Sequence, residues 1–394
     1  MQLLSLKVKN YKVLKDITVK NIPTMAVFLG RNGAGKTTLF DVFGFLHDAL
    51  QTNVSNALSR RGGYKEVLSR GQTGNIEFAL KFRMSPREPI ITYQLSVGLT
   101  EKKHIGVTRE ILSFRRGQNT PPLQVLHFSN GVGEAVAGEI KTVEDIYNAV
   151  RTEQTLDSSD ILAIKGLGQF KDFPYLIALR QLIEDWYVSD FHVDEALGVG
   201  DIGGDTRLSK TGSNLASVAK HLRDFYPDVF RETLRTMAET VPGIGTVDAV
   251  ETQDARIVLR FGDGAFKDPF TARFVSDGTI KMFTYLILLA DPEKHALLCV
   301  EEPENQLYPE ILAHLSEEFR NYARGGGQVL ISTHSPDFLN AVELDELYLL
   351  RKKEGYTTVT KAGDIPQIKA FVDEGDQLGY LWKEGFLDKE EWDT

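Results

Sequence analysis

The sequence predicts an α/β fold built on a phosphate-binding sheet, and three observations predict it. The stretch Gly30-Arg31-Asn32-Gly33-Ala34-Gly35-Lys36-Thr37-Thr38 fits the spacing G-x-x-x-x-G-K-[ST] without mismatch. It lies between an apolar run, Met25–Leu29, and a stretch from Thr38 to Leu46 where Leu39, Phe40, Val42, Phe43 and Leu46 recur at helical steps. Two later apolar runs end in polar groups: Leu297–Val300 in Glu301-Glu302, and Gln328–Ile331 in Ser332-Thr333-His334.

In chain order, Leu4, Leu6 and Val8 alternate with Ser5, Lys7 and Lys9, which predicts a half-exposed strand. Asn10-Tyr11-Lys12 breaks it, and Leu14 to Val19 alternates again. Asn21-Ile22-Pro23 turns the chain into the strand before the phosphate loop. After the first helix, residues 51–75 are polar and hold Arg60-Arg61-Gly62-Gly63 and Arg70-Gly71-Gln72. Residues 75–83, 90–99, 107–115 and 123–128 read as strands, the last after Pro121-Pro122. The first part is thus a strand-rich sheet around the phosphate loop. From Val143 to Leu197 the period turns helical, with Tyr175, Leu176, Leu179, Leu182, Ile183 and Trp186 along one side of a helix after Pro174. A Gly- and Asp-rich connection, 198–214, leads to helices from Asn214 to Phe225 and from Asp228 to Thr240. No heptad run is long enough for an extended coiled coil. A strand at Arg256–Phe261, helices at Ile280–Leu289 and Pro309–Arg324, and strands at Leu344–Arg351 and Thr357–Lys361 complete the fold. A tail holds Leu378-Gly379-Tyr380-Leu381-Trp382.

These motifs imply a chemistry. Glycines let backbone N–H groups approach phosphates with no Cβ in the way, and the following helix start adds free N–H groups and a positive dipole end. Lys36 can reach the β and γ phosphates, and Thr37 can place its hydroxyl on Mg²⁺. Glu301 and Glu302 stand where a carboxylate holds the metal and its neighbour polarises the attacking water. His334 fits a γ-phosphate sensor. Ser276, Asp277 and Gly278 open the helix at Ile280 and make a second anion site. Since the first loop already serves one nucleotide, this site reaches the nucleotide of another subunit.

Bulk composition narrows the class. The chain has 394 residues, 42% hydrophobic and 25% charged, enough for a sizeable core in one large domain or two. A net charge of −10 argues against a broadly basic DNA-coating surface. Arg60, Arg61, Lys65, Arg70, Lys102 and Lys103 are nonetheless candidates for a local basic groove, with a solvated surface equally consistent. The single cysteine, Cys299, excludes an internal disulfide and reads as a buried thiol. No apolar run approaches a membrane span, and the N-terminus alternates too regularly for a signal peptide, so a cytoplasmic protein is expected.

The order of motifs resembles the ABC-type ATPases of the RecF, SMC and OLD superfamily, closest to the compact bacterial ATPases of OLD and RecF type found in anti-phage defence. Val8-Lys9-Asn10-Tyr11-Lys12 is similar to that family's first strand and turn. Gly30–Thr38 is its Walker A, Val275–Thr279 its L-S-D-G-T signature, Glu301–Asn305 its Walker B and D-loop, and Ser332–Pro336 its switch. The resemblance implies an ABC-ATPase head, a P-loop sheet with an antiparallel β subdomain, carrying an inserted helical subdomain. It implies ATP and Mg²⁺ as cofactors. The nucleotide-binding set is Gly30, Asn32, Gly33, Ala34, Gly35, Lys36, Thr37 and Thr38, with Ser276, Asp277 and Gly278 in trans. Glu302 and His334 are the catalytic pair, and Thr37, Glu301 and the Q-loop candidate Gln72 are the metal set. Val275, Lys281, Gln306 and Tyr308 depart from the common pattern.

The expected organisation is an N-terminal ATPase lobe (1–135), an inserted helical lid or arm (136–245), a C-terminal ATPase lobe (246–365) and a tail (366–394). The expected function is a nucleotide-driven dimerisation switch in DNA repair or anti-phage defence. Its partners would be a second copy of the chain in a dimer or higher homo-oligomer, a separate nuclease or effector docked on the helical insertion or the tail, nucleic acid as a possible ligand, and no membrane. An ATP-binding scaffold with little turnover is the alternative. A transporter subunit or a small-molecule kinase fits the motif set less well.

Overall fold

The computed structural model describes residues 2–85, 88–115, 122–138, 150–198, 200–201, 204–264, 266 and 268–389. Strands β1 (Gln2–Tyr11) and β2 (Leu14–Lys20) form an antiparallel pair. Strand β3 (Met25–Leu29) is buried throughout. Helix α1 (Lys36–Gln51) follows the phosphate loop and starts two residues earlier than its apolar period suggests, because Gly35, left-handed at φ 103°, ends the loop. The polar stretch after it is partly helical: α2 (Val54–Ser59), capped by Asn53 Oδ1 accepting from the Asn56 N–H, and α3 (Tyr64–Val67).

Next come β4 (Ile76–Arg83), β5 (Ile90–Leu99), β6 (Ile105–Arg115), β7 (Leu123–Ser129), β8 (Val132–Val136) and β9 (Arg151–Thr155). They join β1 and β2 in an eight-stranded antiparallel sheet of order β2-β1-β4-β5-β6-β7-β8-β9. In β4 the alternation is complete: Ile76, Phe78, Leu80 and Phe82 are buried. In β1 it slips. A register shift between Leu3 and Ser5 sets Leu3 against the core and leaves Leu4 half-buried, while Leu6 and Val8 stay inside as expected. Tyr11, Phe45 and Phe78 meet at ring separations of 5.4–5.8 Å and seat α1 on the sheet. Burying each such ring contributes roughly 1.5–3 kcal/mol.

Part of the expected 143–197 helical stretch lies outside the described residues. Within the rest, Arg151–Thr155 is a strand, followed by helices α4 (Ala163–Leu167) and α5 (Pro174–Glu184). Leu176, Leu179 and Ile183 form the buried face of α5, whereas Trp186 stands beyond it in β10 (Trp186–Val188).

Contacts divide the chain into two units: Met1–Trp186, Asp345–Lys369 and Asp388–Thr394 in one, and Tyr187–Leu344 with Ala370–Leu387 in the other. The second contains α6 (Val193–Ala196), β11 (Gly200–Asp201), α7 (Leu215–Phe225), α8 (Pro227–Thr240), β12 (Ile244–Glu251), β13 (Arg256–Asp263) and β14 (Phe270–Thr271). Strands β11–β14 make an antiparallel sheet centred on β13. Helix α9 (Asp277–Leu289) is buried from Thr279 to Leu288. Strand β15 (Leu297–Glu301), helix α10 (Pro309–Arg324), strand β16 (Val329–Thr333) and helix α11 (Pro336–Leu339) follow. Strand β15 pairs in parallel with β16, setting Glu301 opposite Ser332. Their apolar runs are fully buried, and Cys299 is among the buried residues, as the sequence implies.

The chain then returns to the first unit. Strand β17 (Leu347–Lys353) pairs in parallel with β3, and β18 (Tyr356–Lys361) pairs antiparallel with β17. Helix α12 (Pro366–Asp373) spans the change to the second unit, to which helix α13 (Leu378–Lys383) belongs. In the tail stretch Leu378–Trp382, Leu378 and Leu381 are buried and Tyr380 is about half exposed.

Candidate functional site

The phosphate loop lies wholly in the first unit. Gly33 and Gly35 have φ of 80° and 103°, a backbone region that favours glycine. A Cβ on Gly30 would meet Leu350 O at 2.7 Å, and one on Gly35 would collide with Thr357 Oγ1. The Thr357 hydroxyl donates to Ala34 O at 2.8 Å, so β18 holds the loop from behind. Lys36, 6% exposed, donates from Nζ to Gly30 O at 2.6 Å, folding its ammonium over the loop. No side chain caps the N-terminus of α1. Asn32, Gly33 and Thr37 are exposed, Thr38 is half-buried and Ala34 is buried. The open N–H end, the ammonium and the accessible Thr37 hydroxyl together fit a Mg²⁺-bound polyphosphate.

The loop is braced from outside. In α1, Asp41 accepts from Tyr11 Oη (2.7 Å), Lys12 Nζ (2.5 Å) and Arg61 Nε (2.7 Å). Burial pushes the Asp41 carboxyl up, but the Arg61 charge and the bonds from Lys12 and Tyr11 outweigh it and hold the group below its ordinary value. Arg61 therefore does not belong to a free basic surface. Its side chain is 11% exposed and paired with Asp41 and Asp48. Arg60 pairs with Asp48 and Arg70 with Glu66, while Lys65, Lys102 and Lys103 remain exposed. Gln72 is half-buried, and its amide donates to Tyr356 Oη at 3.4 Å, next to loop-holding Thr357.

The carboxylate cluster is built in the second unit. Strand β15 delivers half-buried Glu301 at its end. Glu302 then takes a positive φ of 43° while its N–H donates to Ser332 O at 2.9 Å. A non-glycine residue there is sparsely populated, and such backbone is characteristic of sites held by their surroundings. The turn aims both Glu302 oxygens at partners. His334 Nδ1 lies 3.1 Å from Oε1, and Asn305 Nδ2 donates to Oε2 at 3.1 Å. Glu304, which sequence reasoning left out of the site, is its inner anchor. Its Oε1 accepts from Thr333 Oγ1 (2.6 Å) and the His334 N–H (3.0 Å), with His334 Nδ1 at 3.6 Å.

Lys281, on α9, reaches the same turn. Its 7% exposed ammonium donates to Asn305 O at 2.8 Å and approaches Glu302 O at 3.5 Å. Burial lowers it to about 8, although the charges of Glu304 and Glu302 pull the other way. Nothing in the local sequence marks this lysine as buried. Two buried oxygens in the cluster, Glu304 Oε2 and Ser332 Oγ, make no hydrogen bond among the described residues. Hydrogen-bonding capacity is thus left for a bound water or ligand oxygen. Among the described residues no three His, Cys, Asp or Glu side chains are grouped to hold a metal alone.

Ser276 and Asp277 are exposed at the start of α9, where Ser276 Oγ accepts from the Thr279 N–H at 3.3 Å as the N-cap. Gly278 has no space for a Cβ, which would lie 2.6 Å from Gln306 O. Gln306 itself takes φ 66°, so it keeps a glycine-like backbone at a position where the resembled family has glycine. These residues, with Tyr308, Glu310, Ile311, His314 and the end of α8, line a cleft of about 880 Å³.

Comparison with known proteins agrees with this picture. Residues 25–123 and 145–340 match the AAA_21 family, described as "AAA domain, putative AbiEii toxin, Type IV TA system". The chain is similar to the Old nuclease of Escherichia phage P2, with 28% identity over 147 residues; the match covers 35% of this chain and about a quarter (24%) of that protein. Among solved structures, an SMC head bound to the C-terminal winged-helix domain of ScpA has a similar fold. Its TM-score is 0.54 at 11% identity, covering 91% of this chain and 97% of that one. No described helix is long and apolar enough to cross a membrane.

Proposed function

The chain belongs to the AAA_21 family, ABC-type ATPases of the RecF, SMC and OLD class with the α/β head fold, and from that premise we propose that it is an ATP-driven dimerisation switch. ATP and Mg²⁺ bind at Gly30–Thr38, with Lys36 on the phosphates and Thr37 and Glu301 on the metal. Glu302 orients and deprotonates the attacking water, and His334 reads the γ-phosphate. Gln72 joins the metal set through the Tyr356 side of the loop. Ser276, Asp277 and Gly278 close on the nucleotide of a second copy. The output is control of a separate nuclease or effector in DNA repair or anti-phage defence.

One observation carries the reading. Glu302, held at positive φ, brings Oε1 to 3.1 Å from His334 Nδ1 while Glu304 fixes the His334 backbone. A turn serving only to reverse the chain has no need of that arrangement. The exposed signature and its cleft support the trans contact. The similar proteins, a nuclease and a head bound to another protein, support an effector partner. Nucleic acid is a weaker proposal after the loss of Arg61 from the basic set.

A scaffold with little turnover is favoured by one fact: both Glu302 oxygens already have partners. Phosphate release by wild type, Glu302→Gln and Lys36→Ala separates the two. The switch predicts turnover in wild type alone, with ATP binding lost in Lys36→Ala and kept in Glu302→Gln. Absence of turnover in wild type, with binding intact, leaves the scaffold.

A further inference from the structure

The backbone of His334 is held from both sides. Its N–H donates to Glu304 Oε1 at 3.0 Å, inside the carboxylate cluster. Its carbonyl accepts from the indole Nε1 of Trp382 at 3.1 Å, on α13. That helix is seated firmly for its length. Leu381 is fully buried and Leu378 5% exposed. The Gly379 N–H donates to Asn340 Oδ1 at 3.0 Å, and a Cβ at Gly379 would collide with Pro336 O and Asn340 Oδ1. Lys383 lies 4.0 Å from Asp337. These contacts fall on α11 and its C-terminal flank, and α11 begins two residues after His334. The opposite side of this segment is tied to α10, where Arg320 Nη2 donates to Ala341 O at 2.9 Å.

We propose that Trp382 is a positioning residue for His334, and that α13 is a clamp setting the orientation of the switch histidine through its main chain. The inference rests on the reading of His334 as the γ-phosphate sensor. The indole touches neither nucleotide nor metal. It fixes the carbonyl of His334 while Glu304 fixes its amide, so the main chain from which the ring extends toward Glu302 is held on both sides. An indole N–H is a donor only, so a phenylalanine at this position deletes the bond while keeping an aromatic, though smaller, ring.

Steady-state ATP hydrolysis by the full chain tests this, using wild type, W382F, G379A, the W382F/G379A double variant and H334A, each checked for folding by circular dichroism. Loss of one positioning hydrogen bond should lower kcat by about 3- to 10-fold. KM for ATP should stay within about twofold, and because a smaller active fraction would lower the apparent kcat in the same way, rates are taken per ATP-binding-competent molecule, counted by nucleotide titration; a deficit that vanishes on that normalisation overturns the clamp. G379A should do the same by unseating the helix, and the double variant should be no slower than the slower single one. H334A impaired with folded W382F at the wild-type kcat overturns the clamp alone. Multiplying losses in the double variant also overturn it, since the two changes would then act separately. H334A at the wild-type rate, or a wild type without turnover, overturns the sensor reading, and the clamp with it.

Discussion

The imidazole Nδ1 of His334 lies 3.1 Å from Glu302 Oε1, although the two residues sit at the ends of different strands. The parallel pairing of β15 with β16, Glu301 opposite Ser332, produces this approach. A one-residue slip would send the residues to opposite faces. Under the proposed mechanism the pair divides the labour, Glu302 as the base that activates water and His334 as the sensor of the γ-phosphate the water attacks. Glu302→Gln should therefore cut ATP turnover by about 100-fold or more while keeping nucleotide affinity. His334→Ala should cut it less and also keep affinity. Turnover assays beside fluorescent-nucleotide titrations check both; unchanged turnover in Glu302→Gln would remove Glu302 from the mechanism.

The Thr357 hydroxyl is the far brace of the phosphate loop. Thr357→Val keeps shape and deletes the donor to Ala34 O, at a cost of about 1 kcal/mol. ATP affinity should fall several-fold, whereas Gly35→Ala, strained in φ and colliding with Thr357, should abolish binding. Calorimetric titration with ATP and Mg²⁺ measures both, and equal affinities in the two variants would contradict the brace.

Much of this site was legible in the sequence. The phosphate loop, the two apolar strands with polar ends and the signature helix announced themselves by spacing and period. What was not legible depends on three-dimensional contact. Glu304 lay in the Walker B and D-loop stretch with no role of its own, yet Thr333 and the His334 N–H draw it inside. Lys281 and Trp382 act across 24 and 48 residues of sequence, beyond any local pattern. Arg61 looked like half of a basic surface pair because sequence does not show that Asp41 and Asp48 lie beneath it. In the fold, the bulge at Leu4 broke a clean alternation. Strand β9, Arg-Thr-Glu-Gln-Thr, carries no apolar signal because no residue in it is fully buried.

Burial drives the fully enclosed Glu110 carboxyl up to about 7, against the Ala163 and Ile164 N–H groups and the Tyr93 hydroxyl, which favour its charged form. Its folded value exceeds the ordinary 4.5, so the native state binds more protons between those two values. Stability is then highest below about 4.5 for this group and falls as pH rises through 7, by on the order of 3 kcal/mol. Glu110→Gln has no such dependence but gives up one acceptor for a backbone N–H. Its deficit in Tm relative to wild type should be larger at pH 5 than at pH 8. Parallel Tm curves would show that Glu110 does not titrate in this range.

Gly278 abuts Gln306 O, so Gly278→Ala must push the signature away from the turn beyond Glu302. Under the proposed trans contact this variant binds ATP normally but dimerises at least about 10-fold more weakly, equivalent to a loss of about 1.4 kcal/mol. Sedimentation with saturating ATP reads the difference. A dimer of wild-type strength would place the interface elsewhere.

The central claim, that ATP joins two copies through a composite site, is tested most directly by light-scattering mass with and without ATP and Mg²⁺, on wild type and Glu302→Gln. The account predicts that ATP raises the mass to that of a dimer, or converts an existing oligomer to a more compact one, and that Glu302→Gln accumulates this state because it cannot discharge it. A mass and compactness indifferent to ATP in both proteins, with ATP demonstrably bound, would contradict it.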